Sequence, residues 1–170
     1  MCSFMQAREG CHSFMQTEKI KNTVCWVLVV VCMGVIFYFS SRTATESSAQ
    51  SDSILNIIYK LFGENGVTTF IVRKIAHFLE FAGLCFLFSI TFYQQFKKVK
   101  FILPVCCTSL YAVTDEVHQL FVEGRACKFF DWVIDTAGGL FGFLIFLIAF
   151  MIIDKIIKVK RAKKIDSKNF

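Results

Sequence analysis

The sequence predicts an all-α integral membrane protein: four transmembrane helices plus a short interfacial amphipathic helix, with both termini cytoplasmic. Three observations carry this reading. Four apolar runs each reach the roughly 20 residues that a helix needs to cross a bilayer. Apolar residues make up 55% of the 170, with 21 Phe against a single Pro, more apolar surface than a soluble domain of this length can bury. The basic residues also alternate in density from one connecting segment to the next, as they do around membrane spans.

The first run, 22–41, holds no charge. It reads as a retained helix rather than a cleaved leader, because FYFSSRTATESS sets bulky aromatics where a cleavage site needs small residues. Ahead of it stands a near-repeat, CSFMQ at 2–6 and CHSFMQ at 11–16, to which no chemistry attaches. Translation from Met1, Met5 or Met15 is compatible with the sequence, and Met15 would leave a short basic lead, so 1–14 is expected to be dispensable. SSRTATESSAQSDS, after the run, reads as an exposed polar loop. SILNIIYKLFG then places Ile54, Ile57, Ile58, Leu61 and Phe62 at helical spacing over a length too short to span, which predicts an amphipathic helix in the outer interface. The second run, 75–96, carries His77 and Glu80 near its start; the third, 101–122, carries Asp115, Glu116, His118 and Gln119 near its end; the fourth, 132–153, carries Asp135 near its start. The expected organisation is a cytoplasmic segment at 1–21, a four-helix membrane domain at 22–153 and a basic cytoplasmic tail at 154–170.

Orientation follows from Lys and Arg. The N-terminal segment, the KKVK loop at 97–100 and the tail hold 13 of the 19 basic residues, while 42–74 and 123–131 hold six, so the first set is cytoplasmic. Nine of the 13 acidic residues fall on the other side. The net charge of +6 is therefore a topology signal, and no nucleic-acid partner is expected. The eight cysteines show no CxxC pair and no zinc-ligand spacing. Cys25, Cys32, Cys85, Cys106 and Cys107 lie in apolar runs as packing residues, and Cys127 in a polar loop reads as a free thiol.

With this topology the intramembrane polar groups share one level. Arg73, Lys74, His77 and Glu80 open the second span, Asp115, Glu116, His118 and Gln119 close the third, and Asp131 and Asp135 open the fourth. Arg73, His77 and Glu80 fall on one helical side, as do Asp115, His118 and Gln119 with Tyr111 a turn deeper. Asp131 and Asp135 share a side with Gly138 and Gly142, a GxxxG pair that permits close helix approach. In the loop VEGRACKFFD, Gly124 supplies a turn and Arg125 a guanidinium beside these carboxylates. Ionisable groups beside hydrocarbon must be paired or used. An ion pair fixing helix register accounts for one Arg facing one acid. It does not call for two His, a Gln and an excess of acids. His77 with Glu80 has the spacing of a metal half-site, but the adjacent Arg and Lys would repel a cation, so neither metal nor other cofactor is expected.

VRKIAHFLEFAGL at 72–84 and AVTDEVHQLFVEGRACKFFDWVIDTAGGLFG at 112–142 resemble the VanZ-like membrane protein family. Its pattern, R-K-x-x-H-x-x-E-[YF], then D-E-x-x-Q-x-F-x-x-G-R, then D-x-x-x-[DN]-x-x-G, falls on Arg73, Lys74, His77, Glu80 and Phe81, on Asp115, Glu116, Gln119, Phe121, Gly124 and Arg125, and on Asp131, Asp135 and Gly139. FYFSSRTATESSAQSDS resembles the family's F-S-S-Q segment, with Arg42 where Gln is usual, and Glu123 stands where the family usually has Pro. The resemblance covers about Trp26 to Ile153. It implies a Gram-positive plasma-membrane protein associated with low-level resistance to lipoglycopeptide antibiotics of the teicoplanin type, glycopeptides that carry an acyl anchor.

Two functional readings stand on the sequence. In the first, Arg73, Lys74, His77, Glu80, Asp115, Glu116, Gln119, Arg125, Asp131 and Asp135 line an outer-leaflet site that binds the lipoglycopeptide or a lipid-linked cell-envelope component. In the second, the protein is an intramembrane hydrolase or transferase on a lipid-linked envelope substrate, with His77 or His118 as general base and Glu80, Asp115 or Glu116 as acid-base carboxyls. No Ser or Cys nucleophile stands in the predicted constellation, which weighs against the second. Partners are membrane lipids and that ligand; the oligomeric state is open.

Overall fold

The structure, a computed structural model, describes residues 2–62 and 67–166; residues 63–66 and the end of the basic tail, 167–170, lie outside the described residues. Five helices follow in order: α1 (Cys2–Ser40), α2 (Ala44–Phe62), α3 (Thr69–Phe96), α4 (Ile102–Gln119) and α5 (Phe129–Asp166). Among the described residues there is no strand. Three helices are long and apolar enough to cross a bilayer, over Met15–Ser40, Thr69–Phe96 and Phe129–Ala162. The fourth expected span is α4, which has 18 residues and, at 1.5 Å per residue, is about 27 Å long. Its last turn of Asp115, Glu116, His118 and Gln119 dilutes its apolarity.

α3 is the axis of the bundle and packs against all four other helices. Of its most apolar stretch 44% is buried, against 17% for those of α1 and α5, whose outer faces are left apolar and bare, as lipid requires. The main core joins Val29 and Ile36 of α1 to Phe81, Leu84, Phe88 and Phe92 of α3 and Ala112 of α4. Trp26 meets Phe88 and Phe92 edge-on, with centroids 6.4 and 5.8 Å away. A second cluster joins Cys85 of α3 to Phe143 and Phe146 of α5.

The GxxxG pair is a seam, and its partner is α3. A Cβ on Gly138 would run into the Phe78 carbonyl, and one on Gly142 into the Ala82 carbonyl. The two backbones are therefore in direct contact over one turn. Gly139 faces α4 instead, where a Cβ would stand 3.0 Å from Thr108 Cγ2. Side-chain bonds to main chain hold the rest: the Tyr111 hydroxyl donates to the Met33 carbonyl at 2.7 Å, joining α4 to α1, and the Trp132 indole N–H donates to Ser109 of α4.

One expectation is corrected. The stretch after the first span is not a loop: α2 begins at Ala44 and takes in most of the Ser-rich segment. TATE is the cause. Thr43 Oγ1 accepts from the Glu46 N–H at 3.3 Å and the Glu46 carboxylate accepts from the Thr43 N–H at 3.2 Å, a reciprocal capping box that starts a helix ten residues ahead of its apolar face at Ile54. α1 likewise extends through the near-repeat as far as Cys2, whose side chains lie outside the described residues.

α3 starts on Thr68, whose hydroxyl accepts from the Ile71 N–H. It stops at Lys97, which takes the left-handed conformation at φ 52° and donates its N–H to the Tyr93 carbonyl.

The seam sets the sign of a simple test. Gly142→Leu must force α5 away from α3 and should lower stability in detergent by at least the ~1–3 kcal/mol of core overpacking. Gly34→Leu, at a glycine with nothing within 4 Å, should leave the thermal midpoint close to that of the parent chain.

Candidate functional site

The end of the bundle where α3 and α5 begin and α1 and α4 finish carries a charged cleft in three connected parts. An outer cavity of about 70 Å³ is lined by Arg73, Lys74, His77, Gln119, Arg125, Lys128 and Asp131, with Phe70 at its edge. A side cavity of about 80 Å³ lies between α2 and α3 and is lined by Ser47, Gln50, Ser51, Arg73, His77, Glu80 and Arg125. A small inner void of about 10 Å³ reaches Glu116, Asp131 and Asp135. His77 borders all three, and Arg73 and Arg125 form the wall shared by the larger two.

Local structure positions each group. Arg73, His77 and Glu80 follow one face of the first four turns of α3, as their spacing predicts, and His77 Nδ1 stands 3.9 Å from Glu80 Oε2. The ion pair across the helices is made by the neighbouring residue: Lys74 Nζ meets Asp131 Oδ1 at 2.6 Å with both side chains largely buried. Beneath this pair Asp115, Glu116, Gln119 and Asp135 are 2, 3, 4 and 1% exposed. Gln119 Nε2 donates to Asp115 Oδ2 at 3.0 Å, and Glu116 accepts from the Lys128 N–H at 2.8 Å. Asp115 Oδ1, Asp135 Oδ2 and Ser40 Oγ are buried without a hydrogen-bond partner of good geometry. Buried carboxyl oxygens left in that state are costly, so the floor of the cleft is ready to accept from donors.

Arg125 does not pair with the carboxylates. Its Nε donates to the Arg42 carbonyl at 2.9 Å and a terminal nitrogen donates to the Phe39 carbonyl at 3.3 Å, so the guanidinium caps the C-terminal end of α1. Gly124, at φ +72°, makes the turn that aims it. Burial, then the neighbouring Arg73, pushes the Arg125 pKa below the ordinary arginine value.

One predicted member stands apart. His118 lies against α1, with its ring centroid 4.3 Å from that of Phe37 and Nε2 3.1 Å from Ser41 Oγ. The Ser41 hydroxyl already donates to the Phe37 carbonyl at 2.7 Å, so His118 Nε2 must carry the proton and donate. His118 fastens α4 to α1 and is not among the side chains lining the cavities. Sequence reasoning missed Lys128, Ser40 and the α2 wall. With SSRTATESSAQSDS, 40–53, read as a loop, nothing placed Ser47 or Ser51 here; the Ser51 hydroxyl is committed to the Ser47 carbonyl at 2.9 Å. Among the described residues no three of His, Cys, Asp and Glu gather closely enough to hold a metal ion.

Five helices, three of them able to cross a bilayer, and a charged cleft at one end define a multi-pass helical membrane protein. A family profile described as VanZ/LLP1 matches residues 25–151. The chain belongs to that family. No curated protein and no solved structure gives a significant match.

The Lys74–Asp131 pair is a structural element of the cleft. Lys74→Met should lower the unfolding free energy by roughly 3–5 kcal/mol, because it strands a largely buried carboxylate. Lys74→Met combined with Asp131→Leu should recover most of that loss, as read by thermal unfolding in detergent. Additive losses would mean that the two groups do not interact.

Proposed function

We propose that this protein is a plasma-membrane protein of a Gram-positive bacterium that holds the polar head of a lipid-linked cell-envelope component at the outer leaflet, and thereby lowers susceptibility to teicoplanin-type lipoglycopeptides. α4 crosses the membrane as a fourth span, both termini are cytoplasmic, and α2 lies along the outer interface. The observation that carries this reading is the cleft itself: Arg73, His77 and Arg125 form the wall of two cavities at the end of a lipid-exposed bundle. Size favours an envelope headgroup over the antibiotic. Cavities of about 70 and 80 Å³ fall well below the ~300–1,000 Å³ that encloses a drug-sized ligand, and a glycopeptide is larger still. The family resemblance supports the association with resistance.

The outward placement of the cleft has a direct check. Cys127 is an exposed free thiol in the α4–α5 loop, so a membrane-impermeant maleimide should label it in intact cells, and should label Ser48→Cys but not Ser167→Cys in a background lacking Cys127. The reverse pattern would put the cleft on the cytoplasmic side.

Function is read by growth inhibition in a susceptible Gram-positive host. The parent chain should raise the inhibitory concentration of teicoplanin and leave that of vancomycin, which lacks the acyl anchor, unchanged. Glu80→Gln and Glu116→Gln should abolish this protection while the protein persists in the membrane at parental level. Full protection from both variants would end the binding-site reading.

A further inference from the structure

The outer cavity has an unbalanced charge. Four cationic side chains line it, Arg73, Lys74, Arg125 and Lys128, and the one acidic residue on its wall, Asp131, is taken by Lys74. None of the other three forms an ion pair with a described carboxylate. The bonds of Arg125 go to neutral carbonyls, which orient the guanidinium and neutralise only part of its charge. Asp115, Glu116 and Asp135 are absent from its wall; they act on its cations from below, where Glu116 accepts from the Lys128 N–H, and leave the mouth itself cationic. Two guanidiniums and an ammonium facing one small space repel one another unless an anion sits between them.

We infer that the outer cavity binds a phosphoryl group, gripped by Arg73 and Arg125 with Lys128 at the rim, and that a lipid carries it as a phosphomonoester or diphosphate. This names the headgroup class and rests on the cleft being a headgroup site. Chemistry selects phosphoryl over carboxylate. A carboxylate offers two oxygens and one charge, whereas a terminal phosphoryl group offers three acceptor oxygens and about −1.5 to −2 charges at neutral pH, enough for two guanidinium forks and an ammonium. Volume agrees: a cavity of about 70 Å³ suits a compact group. The surroundings select a lipid source. Phe70 lies on the cavity edge at 56% exposed, and Phe121, Phe129 and Phe130 flank the loop that bears Arg125 and Lys128 at 83, 70 and 77% exposed. Exposed phenyl rings around a polar opening mark a surface that meets lipid.

The test uses the full chain, purified in a neutral detergent, and follows its thermal midpoint as amphiphiles are added. Dioleoyl phosphatidic acid, a phosphomonoester, should raise the midpoint at concentrations at least tenfold below those needed for dioleoyl phosphatidylglycerol, a diester; dioleoyl phosphatidylcholine should have no effect. Arg73→Gln should abolish the preference for phosphatidic acid. Lys128→Gln, at an exposed side chain that leaves its bonding backbone N–H in place, should weaken it severalfold, and Lys98→Gln, on a remote loop, should not change it. Equal stabilisation of the parent and of both Arg73→Gln and Lys128→Gln by phosphatidic acid would overturn the assignment. Stabilisation by inorganic phosphate at the same concentrations would uphold the phosphoryl site and overturn the lipid source. If phosphatidic acid fails while an uncharged glycolipid or a cationic amphiphile stabilises the chain through Glu80 and Glu116, the phosphoryl assignment falls and the headgroup cleft stands. If no amphiphile acts, both fall.

Discussion

Everything at the charged end depends on how closely α5 lies against α3. Gly138 and Gly142 leave room for no Cβ over the Phe78 and Ala82 carbonyls, so the two helices meet backbone to backbone. Tight contact of this kind drives helix association where the solvent is itself apolar and burial between helices gains little. It also sets register. Once Gly138 is fixed on Phe78, Asp131 and Asp135 come level with the first turns of α3, and Lys74 reaches Asp131 at 2.6 Å. A helix held off by larger side chains would leave the lysine and the acids facing each other across a gap too wide to close.

That register sorts the charges into two layers. Cations gather at the mouth, on α3 and the α4–α5 loop, while the acids Asp115, Glu116 and Asp135 sit below, almost fully buried. A protein concerned with stability alone would pair these layers in full, since an unpaired buried charge costs far more than an apolar replacement. Here Lys74–Asp131 is closed, and Arg73, Asp135 and part of Asp115 are left without ion pair or full hydrogen bonding. The asymmetry fits a cleft whose remaining partners come from outside the chain, an anion above and hydrogen-bond donors below.

The sequence made much of this legible, because two of its signals are geometric. The 3.6-residue period put Arg73, His77 and Glu80 on one face, and alternation of the spans brought that face level with Asp115, Gln119 and Asp135. Where reading failed, the missing information was either a cap or an orientation. α2 was hidden by its Ser-rich start: such residues usually mark loops, and the capping box in TATE outweighed them. His118 shares a helical face with Asp115 to within one turn, yet a ring on the edge of that face can turn either way, and Phe37 with Ser41 claimed it. Arg125 reads from the sequence as a partner of the carboxylates, but its bonds go to the open carbonyls at the end of α1, which no sequence rule shows.

Those carbonyls bear on the two positions at which the motifs differ from the pattern they resemble. A helix ending near hydrocarbon cannot leave its last carbonyls to water. The α4–α5 loop meets this need for α1, with Arg125 donating to Phe39 and Arg42, and the same junction is closed by the Ala44 N–H donating to the Glu123 carbonyl at 3.2 Å. Both departures lie here, at Arg42 and Glu123, and both residues serve the junction through main-chain oxygen. A proline at 123 would present the same carbonyl, so Glu in its place keeps the bond. Arg42 likewise accepts from Arg125 through its backbone, while its side chain turns away to the Tyr38 hydroxyl and to Glu46, 3.5 Å distant. The pattern that matters at these two positions is one of backbone path, which side-chain identity leaves intact. Gly124 between Glu123 and Arg125 is different, because its φ of +72° is one that other residues adopt only with strain.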